Sequence, residues 1–406
     1  MENNMLILYR NTVLDKDLND FLAFMEEGKK TIMPNTELWH QREATSAYML
    51  NKFFHFAHLY GLSGNVWHGF LSIFLVSTEN PFSYAWELNQ DMESSPWDAV
   101  ALRDFETIWH WKNYDFSQMK LSIPSGTMEY LCSCPRENVR STKFSFIMMK
   151  ELEEFSVNLG KAKDGKEILA LTKSFYQKYG IGSLGLNPAF SLKIDDGEVV
   201  LDPIAHMDGG SLQDIIGYEK QRDCLLRNTE AFVQGKPANH VLLFGDSGTG
   251  KSSCIKALLG LYYEKGLRMI EVRQHQLDDL PKLLKQIRNR NYKFILYIDD
   301  LSFEHVDTSL SYLKDVIDHS LEKKADQVLI YATSSQQHNL FGECIYFPSP
   351  TPQEFETMLL ELAKRADLNL SEEEILVLAK RWELEHEQLS GRVAVQYITH
   401  LLHQMD

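Results

Sequence analysis

Along the first 180 residues apolar side chains recur every three to four positions. Met49, Phe53, Phe56 and Tyr60 form one such stripe, Leu102, Phe105 and Trp109 another, and Ile168, Leu171, Phe175 and Tyr179 a third. A stripe at this spacing occupies one face of an α-helix and has to be covered by a neighbour. The pattern predicts an α-helical N-terminal domain over residues 1–180. Between Gly180 and Gly210 glycine, proline and aspartate thicken and the periodicity fades, which predicts a connector over 181–210.

From Ser211 onward the texture changes. Short, continuously apolar runs (Val241–Phe244, Met269–Val272, Phe294–Ile298, Val328–Tyr331 and Cys344–Phe347) alternate with helix-like segments that begin near Lys251, Leu277 and Ser309. Strands buried on both faces and separated by helices belong to a parallel sheet covered on its two sides. The stretch 211–350 is therefore expected to be an α/β domain. After Pro352 the strands cease, and three helical segments predict a small helical lid over 351–406.

Composition narrows the class. A chain of 406 residues is too long for one ordinary core, so more than one domain is expected. The formal net charge of −16 argues against broad adhesion to nucleic acid or to an anionic membrane, although a local basic patch could survive it. Five cysteines are too few and too scattered for a disulfide framework, which points to a reducing, cytoplasmic setting. The start lacks the basic and apolar blocks of a leader, and the greasiest stretch, Phe70–Val76, is far below the roughly 20 residues of a spanning helix.

Chemistry concentrates in the second half. Gly245-Asp246-Ser247-Gly248-Thr249-Gly250-Lys251-Ser252 fits the phosphate-binding loop pattern in full, with an apolar strand before it and a helix after it. Glycines let successive N–H groups turn toward phosphate oxygens, and the helix presents its positive end to them. Lys251 is placed to reach the β- and γ-phosphates, and the Ser252 hydroxyl to ligate Mg²⁺. The strand Phe294–Ile298 ends in Asp299-Asp300: the first acid suits a Mg²⁺ site, the second a water to be activated. A third strand end, Ala332-Thr333-Ser334-Ser335, offers small polar groups near the γ-phosphate. Ser390-Gly391-Arg392 opens a lid helix with an arginine able to read that phosphate.

Other signals carry less. His55 with His58, and Cys132 with Cys134, have metal-like spacing but no second pair nearby, and read as packing or loop residues. The basic run Lys282, Lys285, Arg288, Arg290 and Lys293 follows Asp278-Asp279 in the charge order a helix dipole favours. It reads as a solvated helix face.

Taken together these residues resemble an AAA+-type P-loop ATPase. More narrowly, the chain from Asp214 onward resembles a bacterial ATP-binding family, domain-of-unknown-function family 815. The resemblance rests on Ile216-Gly217-Tyr218-Glu219, Asn228-Thr229-Glu230-Ala231-Phe232, Gly248 to Ser253, Gly266-Leu267-Arg268, Asp299-Asp300-Leu301-Ser302-Phe303-Glu304, Tyr331-Ala332-Thr333-Ser334 and Ser390-Gly391-Arg392. Glu79-Asn80-Pro81-Phe82 and Leu102-Arg103-Asp104 are weaker echoes in the first half.

The resemblance implies an α/β P-loop NTPase fold with a parallel sheet of order 5-1-4-3-2, a C-terminal helical lid, and ATP with Mg²⁺ at their junction. By position it assigns nucleotide cradling to Gly245, Asp246, Ser247, Gly248, Thr249, Gly250, Lys251, Ser252 and Ser253. It places Ile216 and Gly217 beside the adenine and the metal on Ser252 and Asp299. Asp300 becomes the water-activating acid, Ser335 the strand-end sensor and Arg392 the lid sensor. The chain departs from the family in having Ser335-Gln336-Gln337 where the family has Asn-Arg-Arg, and in having no arginine from Ser334 to Leu362. An arginine supplied across an oligomer interface is worth powers of ten in rate.

Two function classes follow. One is an ATPase that hydrolyses ATP with Mg²⁺ to drive a conformational change on a protein partner held by the N-terminal domain, alone or as an oligomer. The other is a non-hydrolysing, nucleotide-gated binding module. The absent arginines favour the second, and the retained Asp299-Asp300 pair favours the first.

Overall fold

The molecule is described from a computed structural model, which covers residues 6–10, 12–88, 92–121, 125–135, 141–205, 210–303, 313–314, 327–385 and 389–405. The helix expected near Ser309 falls outside the described residues. Packing divides the chain into two units, one of Met1–Asn187 with Pro203–His206, the other of Pro188–Asp202 with Met207–Asp406.

The first unit is helical. Among the described residues it comprises α1 (Asp15–Lys29), α2 (Glu37–Tyr60), α3 (Val66–Ser77), α4 (Pro81–Leu88), α5 (Asp98–Lys112), α6 (Ser125–Cys132), α7 (Phe146–Lys161), α8 (Gly165–Tyr179) and α9 (Gly182–Leu186). Side chains of Thr36, Asn65, Ser145 and Asp164 accept from the first turns of α2, α3, α7 and α8, which fixes where those helices begin. Helix α3 is apolar nearly all round, and such a helix belongs at the centre of a bundle. Phe21 of α1 stacks on Phe53 of α2 at 3.6 Å and meets Phe70 of α3 edge-on at 4.9 Å. The aromatic stripes read from the sequence are thus core.

The second unit is built on a sheet of β1 (Ala189–Asp195), β2 (Glu198–Pro203), β3 (Val241–Gly245), β4 (Leu267–Glu271), β5 (Lys293–Ile298), β6 (Val328–Ser334) and β7 (Glu343–Phe347). Its helices before the tail include α10 (Glu219–Val233), α11 (Lys251–Tyr262) and α12 (Leu280–Ile287). The strand order is β2-β1-β4-β5-β6-β3-β7, and β1 with β4, β4 with β5, β5 with β6, β6 with β3 and β3 with β7 all pair in parallel. Counting β3 as first, the five strands β3 to β7 lie 5-1-4-3-2 across the sheet.

Two features correct the sequence reading. The stretch 181–210, expected to be a connector, carries two strands that extend the sheet. They turn at Asp196-Gly197, both with positive φ, as a tight two-residue hairpin requires. The basic run is not one solvated helix face either. After a 3₁₀ turn at Gln274–Asp279, α12 ends at Ile287, while Arg290 is buried beside Tyr292 and Lys293 opens β5.

Polar groups lock the sheet's interior. The Tyr331 hydroxyl on β6 meets Thr229 Oγ1 and takes a hydrogen bond from Asn228 Nδ2, both at 2.9 Å. His240, just before β3, accepts the Ile330 N–H on Nδ1 at 2.9 Å. The tail forms α13 (Pro352–Arg365), α14 (Glu372–Glu385) and α15 (Gly391–Met405). Thr351 and Glu354 cap α13 reciprocally with Pro352 in its first turn. Phe355, Leu359, Ala394 and Tyr397 form the centre of the lid, and the Tyr397 hydroxyl donates to Ile375 O at 2.7 Å. The parallel sheet, the glycine-rich loop after β3 and the helical tail make an α/β fold of P-loop type. Among the described residues no helix is long and apolar enough to cross a membrane.

Candidate functional site

Parallel pairing brings the carboxyl ends of β3, β5 and β6 to one edge of the sheet. The register sets Leu243 beside Thr333 and Ile298 beside Ala332, so the residues that follow these strands converge there. The loop after β3 begins at Gly245, whose φ is +127° and where a Cβ would lie 2.2 Å from Phe347 O; only glycine fits. Thr249 Oγ1 donates to Asp246 O at 2.9 Å and tightens the turn from inside. Helix α11 starts at Lys251, whose ammonium donates to Gly245 O at 2.8 Å and Asp246 O at 2.5 Å. Burial lowers the Lys251 ammonium from its ordinary value; Asp246, Asp300 and Asp299 act against this, and Arg392 adds to the lowering.

Below the loop, one carboxylate gathers hydroxyls. Asp299 Oδ1 accepts from Ser252 Oγ at 2.8 Å and from Thr333 Oγ1 at 2.6 Å. Burial by itself would raise the Asp299 carboxyl. Hydrogen bonds from Thr333 and Ser252, the nearby Tyr297 hydroxyl and the Lys256 charge instead hold it below its ordinary value. The same Thr333 hydroxyl accepts the Asp300 N–H at 2.8 Å, and Thr333 O accepts the Leu301 N–H at 2.7 Å. Asp300 has a φ of +52° and an exposed side chain on the cleft wall.

The lid closes the other side. The first residues of α15 lie against the glycine-rich loop: Arg392 N–H donates to Gly248 O at 3.1 Å. Gly248 has a φ of +75°, and a Cβ there would come within 2.8 Å of Ser390 Oγ. Between sheet and lid runs a cleft of about 610 Å³. Its phosphate-loop end is polar. Its far end is formed by Ile215, Ile216 and Tyr218 with Met358, Leu362 and Val395 of the lid, an apolar slot suited to a flat ring. The extended segment that carries Ile215 is pinned by Arg222, which donates to Leu212 O and Ile215 O at 2.8 Å each. Tyr218 stacks on Phe347 at 5.1 Å and donates to Pro348 O at 2.7 Å.

The donors fit a hard divalent cation. Mg²⁺ prefers oxygen and takes only one or two protein ligands when phosphates and waters supply the rest. Ser252 and Asp299 offer a hydroxyl and an ionised carboxylate side by side. They are the residues that would hold the ion, whose charge would neutralise phosphate oxygens.

The cleft brings together Ile216, Gly245, Ser247 to Ser253, Asp299, Asp300, Ser335 and Arg392. It does not include Gly217 or Asp246. The Asp246 carboxylate turns away to accept Ser349 N–H at 3.0 Å and Ser349 Oγ at 2.7 Å, tying the loop to the start of the lid. Ser335 lies exposed on the wall, while the acids are organised two residues earlier, by Thr333. Parallel register carries that signal, since the residue after the partner of Ile298 has to face Asp299. Asp214 and Gln396 also line the cleft, and no sequence motif marks them.

Comparison with known proteins follows the same half of the chain. The model of a family described as "Protein of unknown function (DUF815)" matches residues 186–343 and 338–405. No curated protein matches the sequence. Among solved structures the chain is similar to the Thermotoga maritima RuvB Holliday junction branch migration motor, with 19% identity over 47% of this chain and 63% of that one and a TM-score of 0.34. It is also similar to an arginine-to-alanine variant of Thermotoga maritima RuvB (19%, 47% and 63%, TM-score 0.35). A proline-to-glycine variant of the same protein gives 18%, 47% and 64%, with a TM-score of 0.36. The match thus spans under two thirds of each of these chains.

Proposed function

The chain belongs to the family described as "Protein of unknown function (DUF815)", and from that premise and the geometry of the cleft we propose that it binds ATP with Mg²⁺ and hydrolyses it. The observation that carries this reading is the Ser252–Asp299 hydrogen bond of 2.8 Å directly beneath the loop that ends in Lys251. A hydroxyl at the head of the loop's helix, paired with a carboxylate at a strand end, is what a triphosphate–metal pair requires.

In this reading the backbone of Gly245 to Ser253 holds the phosphates, and the apolar slot beside Ile216 receives the base. Lys251 moves from the loop carbonyls it now bonds to the phosphate oxygens. Asp300, whose carboxylate is exposed in the cleft, orients a water in line with the γ-phosphate. Lys251 and Arg392 stabilise the charge that develops there. Ser335 stands on the cleft wall as a weaker candidate sensor than Thr333. Because the lid touches the loop at Gly248 and is tied to it through Asp246 and Ser349, opening and closing of the lid is the conformational output. The helical first unit is the proposed site of a protein partner, in a cytoplasmic setting.

One observation favours a second reading, a nucleotide-gated module that binds without hydrolysis: the chain has no arginine from Ser334 to Leu362 to serve a neighbouring copy. Phosphate release by the full chain, set against its Asp300→Asn variant, separates the two. Background rates in both, with ATP still bound, would leave only the gated module. No binding by the unmodified chain would remove both readings.

A further inference from the structure

Tyr297 stands two residues before Asp299 at the end of β5, and the alternation of a strand puts both side chains on one face of the sheet. That face is covered by α11. Lys256 Nζ lies 5.7 Å from the centre of the Tyr297 ring, and Ser252, one helical turn earlier, bonds Asp299 Oδ1. The phenol is fully buried, and its hydroxyl has no partner in hydrogen-bonding geometry among the described residues. Asp299 Oδ1 holds two donors, Ser252 and Thr333, while no described residue donates to Oδ2.

A buried hydroxyl without a partner destabilises the fold, and phenylalanine would avoid that in nearly the same volume. The residue therefore has something to do other than fill space. Burial raises the phenol far above its ordinary value, with Ser252 acting against this and the Asp299 charge adding to it. A phenol hydroxyl has one proton to donate.

We propose that Tyr297 is a positioning residue for the metal end of the cleft, its hydroxyl completing the Ser252–Asp299–Thr333 cluster as a donor to the carboxylate. This rests on the ATP–Mg²⁺ reading given above. Tyr297 acts through Asp299: it fixes the carboxylate's rotation and leaves Ser252 free to present its lone pair to the cation.

The test is Tyr297→Phe in the full chain, read by titrating a fluorescent ATP analogue first in EDTA and then against rising Mg²⁺. The affinity in EDTA stays within about twofold, while the Mg²⁺ concentration giving half the metal-dependent tightening rises about tenfold, the size usual for a group that orients a metal ligand. In an Asp299→Asn background the same substitution adds nothing further. An unchanged Mg²⁺ midpoint in Tyr297→Phe overturns the proposal while leaving ATP–Mg²⁺ binding intact. Absence of any Mg²⁺-dependent tightening in the unmodified chain overturns it together with the reading on which it rests.

Discussion

Thr333 donates to Asp299 Oδ1 at 2.6 Å, and its one hydroxyl oxygen also accepts the Asp300 N–H at 2.8 Å. A single side chain on β6 thereby sets the carboxylate of one acid and the backbone of the next. Both acids follow a different strand, so their placement depends on the register between β5 and β6. Asp300 adopts a φ of +52°, a conformation that a non-glycine residue holds only when its surroundings over-determine it.

Thr333→Val keeps the shape and removes the hydroxyl. It leaves the Asp300 N–H without its acceptor and takes a donor from Asp299. Unfolding in urea should show a loss of about 1–2 kcal/mol. Mg²⁺-dependent ATP binding should weaken about tenfold. Ser335→Ala, on the exposed wall, should change stability by less than about 0.5 kcal/mol. Equal effects of the two substitutions would refute the assignment of the organising role to Thr333.

His240 makes stability depend on pH. Burial holds its imidazole down, from 6.5 to about 4, and its Nδ1 has to stay unprotonated to accept the Ile330 N–H. The folded state therefore binds this proton later than the unfolded chain does. The stabilising contribution is complete above about pH 6.5 and is lost as pH falls toward 4. The gap between those values corresponds to about 3 kcal/mol at most. His240→Asn supplies an acceptor that does not titrate. Chemical denaturation from pH 7 to pH 4 should show a flatter slope in the variant over that window, and parallel slopes would rule the mechanism out.

How far the sequence discloses this molecule varies by element. The glycine-rich loop after β3 and the two acids after β5 stand out in the sequence as fixed residue types at fixed spacing, and they meet in one cleft; the helical tail stands out because three amphipathic segments follow the last strand. The strands β1 and β2 carry only a faint signal: Phe190, Leu192 and Ile194 alternate with Ser191 and Lys193, and Val199-Val200-Leu201 is a shorter apolar run than those of the buried central strands. The Asp196-Gly197 pair is the usable signal, a dipeptide that favours the tight turn found there. Thr333 against Ser335 is a matter of register, which a single strand does not carry. Asp246 lies within the loop pattern, yet its carboxylate serves Ser349, some hundred positions away.

Lys251 and Arg392 should separate binding from turnover. Lys251 is half-buried among loop carbonyls and faces three carboxylates, so its removal takes a cation from the floor of the cleft. Lys251→Ala should cost about 2–4 kcal/mol of ATP affinity, or about 30- to 1,000-fold, by calorimetry. Arg392 reaches the cleft from the lid and is exposed. Arg392→Ala should leave affinity within about threefold and lower phosphate release about 100-fold, the usual cost of one stabilising donor. Loss of binding in Arg392→Ala as complete as in Lys251→Ala would contradict this division.

Gly248 tests the coupling between loop and lid. Its φ of +75° is one that a side chain disfavours by about 1–2 kcal/mol. A methyl group there would also press on Ser390 Oγ at 2.8 Å and on Arg392 Cβ at 3.1 Å. Backbone strain alone would lower stability and leave the cleft unchanged. Contact with the lid would in addition push the start of α15 off the loop and break the Arg392 N–H bond to Gly248 O. Gly248→Ala should therefore lower ATP affinity about tenfold, corresponding to about 1.4 kcal/mol. It should also speed proteolytic cutting between β7 and α15 in the folded protein, because the lid spends more time away from the sheet. A variant that melts earlier but binds ATP as tightly, with the lid cut no faster, would show that the lid does not bear on the phosphate loop.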